Sequence, residues 1–408
     1  MSGASMKHVV AMCRSLFLLA DLVCCHTAIA IVRVMSIVKL IFRSKRRIDR
    51  KPIVFVAAND LFGDTIVRIP FFWTIRKEFP KDKYHIVVSL SAATYGILSK
   101  LQCFDEVVVE DVQNCAHPIF WIFGKSGMSK QLSWSFGHHV DVYIVCHRYR
   151  NLGSDLVHLL CSPRVSVAYA ASDEYRMFPM TYNYQRLACE GLYTHLLKPK
   201  VGRHQIDELN ELISVSVKHH VIVCKPSGLD LEPMLDFSAA EHLPFAQSDF
   251  VVLVPGARVA YRRWPIGRFI EVANKIKGNI VVVGSDSENP LAQSIAANAD
   301  CNVVNLCGKT SLPQLGGILA RSRLVITNET GTANLSAVVG AKTICILGGG
   351  DFGSFFPNPH YANVISVFKR DECFNCDWKC LKKDLNGLAL APCVEAVSVD
   401  DVLAAAVI

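Results

Sequence analysis

The sequence predicts an α/β protein: two parallel-sheet halves in series, facing a cleft and preceded by an amphipathic helical segment. Three observations predict it. From Lys51 onward, short apolar runs rich in Val and Ile alternate with helical stretches, the pattern of strands covered on both faces. The alternation blurs over Arg176–Phe245 and resumes at Asp249, which makes two units. A chain of 408 residues, 51% of them hydrophobic, can bury two sizeable cores.

The first 50 residues stand apart. Residues 7–42 contain no Pro or Gly, and Lys7, Arg14, Asp21 and Lys39 fall within about 20° of one helical direction, opposite a broad apolar face. The apolar runs fall short of the roughly 18 residues a membrane span needs. A secretory signal does not fit either, because the segment is long, carries interior charges and shows no small-residue cleavage site. An in-plane membrane-surface helix is the preferred reading, a span or a helix packed on the protein itself being the alternatives. The basic run "RSKRRIDRK" (43–51) follows, next to anionic headgroups in that reading. It holds most of the net charge of +7, which argues against a broad nucleic-acid-binding face.

In the first half the strands are expected at 52–58, 85–90, 106–110, 140–146 and 165–170, with a crossover helix at 65–80. The irregular stretch offers a helix around 183–197 and a strand, "HVIVCK", at 220–225. The second half offers strands at 249–257, 279–285, 301–308, 323–331 and 342–350, with helices at 265–277, 288–299, 312–321 and 331–339. The expected units are a helical segment 1–50, an N-terminal domain 51–245 and a C-terminal domain 246–408.

Ligands of open α/β sheets sit beyond the carboxyl ends of the strands, so chemistry is sought there. Three strand ends carry unusual content. In "AANDLFGDTIVRIP" (57–70), Asp64 opens a helix after Gly63, as a plain cap or as a general base. In "VPGARVAYRRWP" (254–265), Arg262 and Arg263 precede a helix start and with its free N–H groups make an anion site; the bland alternative is a solvated turn with Trp264 packed on the domain. In "ITNETGTANLSAVVGAKT" (326–343), Thr330, Gly331 and Thr332 offer donors to phosphate oxygens at another helix start, or merely cap it. "GGGDFG" (348–353) has the dinucleotide spacing but follows a late strand and precedes a poor helix, so it reads as a flexible loop lining the cleft.

These three segments together resemble glycosyltransferase family 9, the lipopolysaccharide heptosyltransferases, in motif order and spacing over roughly residues 52–400. The resemblance implies two Rossmann-like domains in the GT-B arrangement and an inverting, metal-independent transfer from a nucleotide-activated sugar. It implies Asp64 as the base on the acceptor hydroxyl and Arg262, with Arg263 beside it, as the diphosphate grip. Thr330, Gly331 and Thr332 would cradle phosphate, with Glu329 facing sugar or ribose hydroxyls and Asn334 completing the donor site. Glu329, Asn334 and Arg262 stand where the family usually has Asp, His and Lys. The implied partners are a nucleotide-sugar donor, a glycolipid or lipopolysaccharide-type acceptor and the inner-membrane surface, with no cofactor, in a cytoplasmic, peripherally attached enzyme. A nucleotide-sugar epimerase of the same shape and a non-enzymatic nucleotide-sugar-binding protein are the rival readings.

Cysteine number 16, well below the density of a disulfide scaffold, and most lie singly in apolar runs. Cys373, Cys376, Cys380 and Cys393 form a Cys-x2-Cys-x3-Cys-x12-Cys cluster, open to three readings: a structural zinc, free or redox thiols, or disulfides.

Overall fold

The computed structural model describes residues 30, 34, 50–110, 130–147, 152–170, 191–198, 203–225, 229–383 and 390–407. The expected membrane-surface helix of residues 7–42 and most of the helix expected at 183–197 lie outside the described residues. Among the described residues, no helix is long and apolar enough to cross a membrane.

The first half runs β1 (Ile53–Ala57), α1 (Phe62–Ile66), α2 (Ile69–Glu78), β2 (His85–Ser91), α3 (Ala92–Leu98), β3 (Glu106–Glu110), α4 (Lys130–Gly137), β4 (Val142–Val145), α5 (Leu152–Cys161), β5 (Val165–Tyr169), β6 (His195–Leu197) and α6 (Gln205–Val217). α7 (Ser238–Glu241) links the halves, and the second runs β7 (Phe250–Val254), α8 (Ile266–Ile276), β8 (Asn279–Val282), α9 (Asn289–Asn298), β9 (Val303–Asn305), α10 (Leu312–Arg321), β10 (Leu324–Asn328), α11 (Gly331–Val338), β11 (Thr343–Ile346), β12 (Val364–Val367), α12 (Pro392–Glu395) and α13 (Val399–Val407). Each half forms a parallel six-stranded sheet, ordered β3-β2-β1-β4-β5-β6 and β12-β11-β10-β7-β8-β9. Counted from its own first strand, each has the doubly wound order 3-2-1-4-5-6. The Val- and Ile-rich central strands β1, β7 and β10 are buried at every residue, while the edge strands β6 and β9 are half-buried throughout.

The helices follow local chemistry. In α8, Phe269, Val272 and Ala273 recur at helical spacing and are its buried face, and Lys277 ends it in the left-handed region at φ 50°. A reciprocal Ser311–Gln314 capping box starts α10. Gly316 and Gly317 let α10 lie tight against the chain before α7: a β-carbon on Gly317 would come 2.2 Å from the Asp236 carbonyl oxygen. One buried apolar cluster runs from Val56 and Leu90 through Ile97 to Ile318 and Leu335, joining both halves.

Two expectations need correction. Residues 220–225 are not a strand: the N–H groups of Val221, Val223 and Cys224 donate to Ser214 Oγ, Asn210 Oδ1 and Thr74 Oγ1, so helix side chains take the place of a neighbouring strand. The end of the helix expected at 183–197 is instead edge strand β6, paired with β5 from His195 to Leu197.

Candidate active site

The order of each sheet reverses between two central neighbours, β1 and β4 in one and β7 and β10 in the other. A crevice opens at such a switch point, where loops leave in opposite directions. Three of the loops leaving these four strands are the three motifs: Asp64 lies beyond β1, the Arg262 turn beyond β7 and Glu329-Thr330 beyond β10.

Beyond β10, Asn328 staples two loops. Its Nδ2 donates to the carbonyls of Pro255 (2.9 Å) and Gly256 (3.2 Å), and its Oδ1 accepts from the Trp264 N–H at 2.9 Å. Trp264 is buried and its indole N–H donates to the Val397 carbonyl, so it packs on the domain body. Thr330 then starts α11 without a side-chain cap bond, and its Oγ1 is buried without a partner. Glu329 has a buried, unpartnered Oε2; burial pushes its carboxyl up to about 8 against the opposing Arg262 charge.

The two arginines are separated by function. Arg263 Nε donates to the Ala257 carbonyl at 2.9 Å and braces its own loop. Arg262 meets Asp351 at 2.8 Å and lies 4.2 Å over the Trp378 ring, while its buried Nε has no partner. Trp378 also donates to Asp351 at 2.8 Å and adopts φ 55°, a costly value for a bulky residue. What holds it is the glycine run: β-carbons on Gly348 and Gly350 would come 2.5 and 2.2 Å from the Trp378 ring. The "GGGDFG" stretch is therefore a packed seat for the Cys-rich segment rather than a flexible loop.

The halves touch at the site. A β-carbon on Gly331 would come 2.5 Å from Phe62 Cδ1 and 3.1 Å from Gly63 Cα, so only glycines allow the first turns of α1 and α11 to meet this closely. Asn334 Nδ2 donates across the same seam to the Gly63 carbonyl at 3.2 Å, leaving its Oδ1 buried and unpartnered. Asp64 stands in the first turn of α1; burial and the neighbouring Asp60 charge raise its carboxyl to about 7. The contact thus places Asp64 beside the loops carrying Arg262, Glu329 and Thr330, with Thr332 on the first turn of α11.

Sequence reasoning missed four polar residues here. Arg258, exposed in the loop after β7, acts on the Asp64 carboxylate; a lone Arg ahead of a doublet was the available signal. Behind Asp64 lie the buried Arg68 and His147 and the half-buried Asp60 that joins them, whose signal was an arginine set between Val67 and Ile69 in an apolar stretch.

Cys373, Cys376, Cys380 and Cys393 line one cavity with Gly349 and Gly350, and all four are free thiols, so the disulfide alternative is set aside. Among the described residues, no group of three or more His, Cys, Asp or Glu side chains is arranged to hold a metal ion.

Two doubly wound domains meet at their switch points, where Arg262, Glu329, Thr330 and Asn334 keep buried polar atoms without partners, and this is the place where open α/β sheets bind ligands. Residues 193–383, a little under half of the chain, match the family model described as glycosyltransferase family 9 (heptosyltransferase), and this match supports a glycosyltransferase. Asp64 and its loop lie outside the matched span. The fold is shared with solved structures. The family 9 glycosyl transferase of Veillonella parvula DSM 2008 superposes with a TM-score of 0.64 at 18% identity, covering 89% of this chain and 98% of that one. The E. coli ADP-heptose LPS heptosyltransferase II gives 0.57 at 15% identity, covering 87% and 98%. E. coli heptosyltransferase WaaC with ADP gives 0.57 at 16%, covering 77% and 92%. Among curated proteins, no sequence matches the chain.

Proposed function

We propose that this glycosyltransferase moves a sugar from a nucleotide diphosphate donor to a lipid-linked or lipopolysaccharide-type acceptor, with inversion and without a metal. In this reading residues 51–245 form the acceptor domain, residues 246–408 the donor domain, and residues 1–50 hold the enzyme on the cytoplasmic face of the inner membrane. The observation that carries it is the Gly63–Gly331 contact, which sets one carboxylate of raised proton affinity against the unpartnered donor-loop groups. Asp64 takes the proton of the acceptor hydroxyl as its oxygen bonds to the anomeric carbon. The bond from that carbon to the diphosphate oxygen breaks, and its electron pair leaves with the nucleoside diphosphate. Attack opposite the leaving group inverts the centre. Arg262, Arg258 and the N–H groups at the start of α11 meet the developing phosphate charge, which is the work a metal does elsewhere. Glu329, protonated below about 8, offers a hydroxyl donor as well as an acceptor to sugar or ribose hydroxyls.

The donor is found by a thermal-shift panel of nucleotide sugars. With the best donor, nucleoside diphosphate and a glycosylated lipid appear together only when a lipid-linked acceptor is added. Release without acceptor means an epimerase, and binding without any turnover means a nucleotide-sugar-binding protein. Removing residues 1–50 abolishes pelleting with anionic vesicles; a truncated chain that still pellets places the anchor elsewhere.

A further inference from the structure

We propose that Asp60, fixed by Arg68 and His147 at the switch point of the first sheet, is a positioning residue whose charge acts on Asp64, four residues further along. The proposal rests on the reading of Asp64 as the base. Asp60 leaves β1 and His147 leaves β4, the two strands between which the order reverses. Their side chains meet: Asp60 Oδ2 accepts from Arg68 Nη2 at 3.0 Å and faces His147 Nδ1 at 3.3 Å. His147 Nε2 faces Asn59 Oδ1 at 3.0 Å, tying both strand ends together. Arg68 and His147 side chains are 1% and 3% exposed and Asp60 is 29% exposed, so the two partners are shielded from solvent while the carboxylate they hold is half-buried.

The chemistry lies in the count of charges. Two carboxylates, Asp60 and Asp64, share the neighbourhood of Arg68 and the His147 ring, and both of those partners bond Asp60; Arg68 Nε and Nη1 are buried without partners. When like charges share a site, the better-bonded one stays ionised and the other is pushed up. Against burial, the His147 hydrogen bond and the Arg68 charge hold Asp60 well below the usual carboxylate range. Asp64 is raised to about 7, by burial first and by the Asp60 charge second, a value matched to accepting a proton near neutrality. The remaining groups around it do not change this count. Arg258 opposes the rise from the loop after β7, and burial raises the Cys146 thiol to about 12, so it stays uncharged. The helices packed on α1, namely α3 and α11, carry no Asp, Glu, Lys, Arg or His.

The test is the pH–rate profile of the full chain with donor and lipid acceptor. In Asp60→Asn the acid limb moves down by about one pH unit or more and the plateau kcat falls, while donor KM changes less than about twofold. A limb that stays in place while kcat falls makes Asp60 a loop brace and overturns the proposal. Asp60→Asn leaves Arg68 buried beside a neutral partner, which puts folding at risk. The second variant, Asp60→Asn with Arg68→Gln, removes the buried guanidinium together with its partner. Its limb also moves down, though less, because the Asp60 charge acts on Asp64 more strongly than the Arg68 charge. Were Arg68 alone felt, that limb would move up, and the proposal would fall. Asp64→Asn separates the two claims: an active Asn variant sinks the base reading, whereas an inactive one with an unmoved Asp60→Asn limb sinks only this proposal.

Discussion

Replacing Arg262 by Ala isolates the diphosphate grip. Its guanidinium is held by Asp351 at 2.8 Å and by the Trp378 face, and both partners of the ion pair are partly exposed, 26% and 33%. A pair so open to solvent contributes about 1 kcal/mol or less to folding. Its loss is softened further because Trp378 still donates to Asp351. A charge-assisted hydrogen bond to a diphosphate is worth about 1.5–3 kcal/mol. At about 1.4 kcal/mol per tenfold, one such bond corresponds to roughly 10- to 150-fold in Kd. Titration calorimetry with the nucleoside diphosphate of the best donor is therefore expected to show affinity falling by that factor, with Tm within about 3 °C of wild type. Unchanged affinity for every diphosphate would refute the grip, and Arg258 would be tested in its place.

Two further outcomes are expected. Gly331→Ala drives a β-carbon to 2.5 Å from Phe62, so the seam opens and transfer falls at least tenfold, with a stability loss of about 1–3 kcal/mol by denaturant melts; an active, equally stable variant would mean the seam is not needed. Glu329 has a folded value raised from 4.5 to about 8, so its contribution to stability is fully present below 4.5 and is lost as pH rises through about 8. Glu329→Gln should therefore melt close to wild type at pH 5 and above it at pH 8.5, and a gap that does not grow with pH would argue against the buried acid.

Much of the fold was legible because its strands are buried on both faces: the runs at 52–58, 249–257 and 323–331 could hardly be anything but central strands, and β1, β7 and β10 lie within them. Legibility failed where tertiary bonds override pattern. "HVIVCK" alternates like a strand, yet Ser214, Asn210 and Thr74 take up its N–H groups, and no sequence rule announces those partners. Edge strand β6 is three residues long and half-buried, so its signal is weak, whereas β12, Val-Ile-Ser-Val, carries a strand signal in the sequence that is short and stands among turn residues. At the site, Asp64, Arg262 and Thr330 could be read because each sits next to its own strand end. The Asp60–Arg68–His147 group could not, because His147 is 87 residues from Asp60 in sequence and only the pairing of β1 with β4 brings them together.

The most direct measurement is single-turnover transfer by Asp64→Asn with the cognate donor and a lipid-linked acceptor. Asn preserves the shape of the first turn of α1 but takes no proton near neutrality, so donor affinity should stay within about threefold while the chemical step slows by about 10²–10⁴. Transfer by the Asn variant within a few-fold of wild type would contradict the account and return Asp64 to a helix-start residue beside someone else's base.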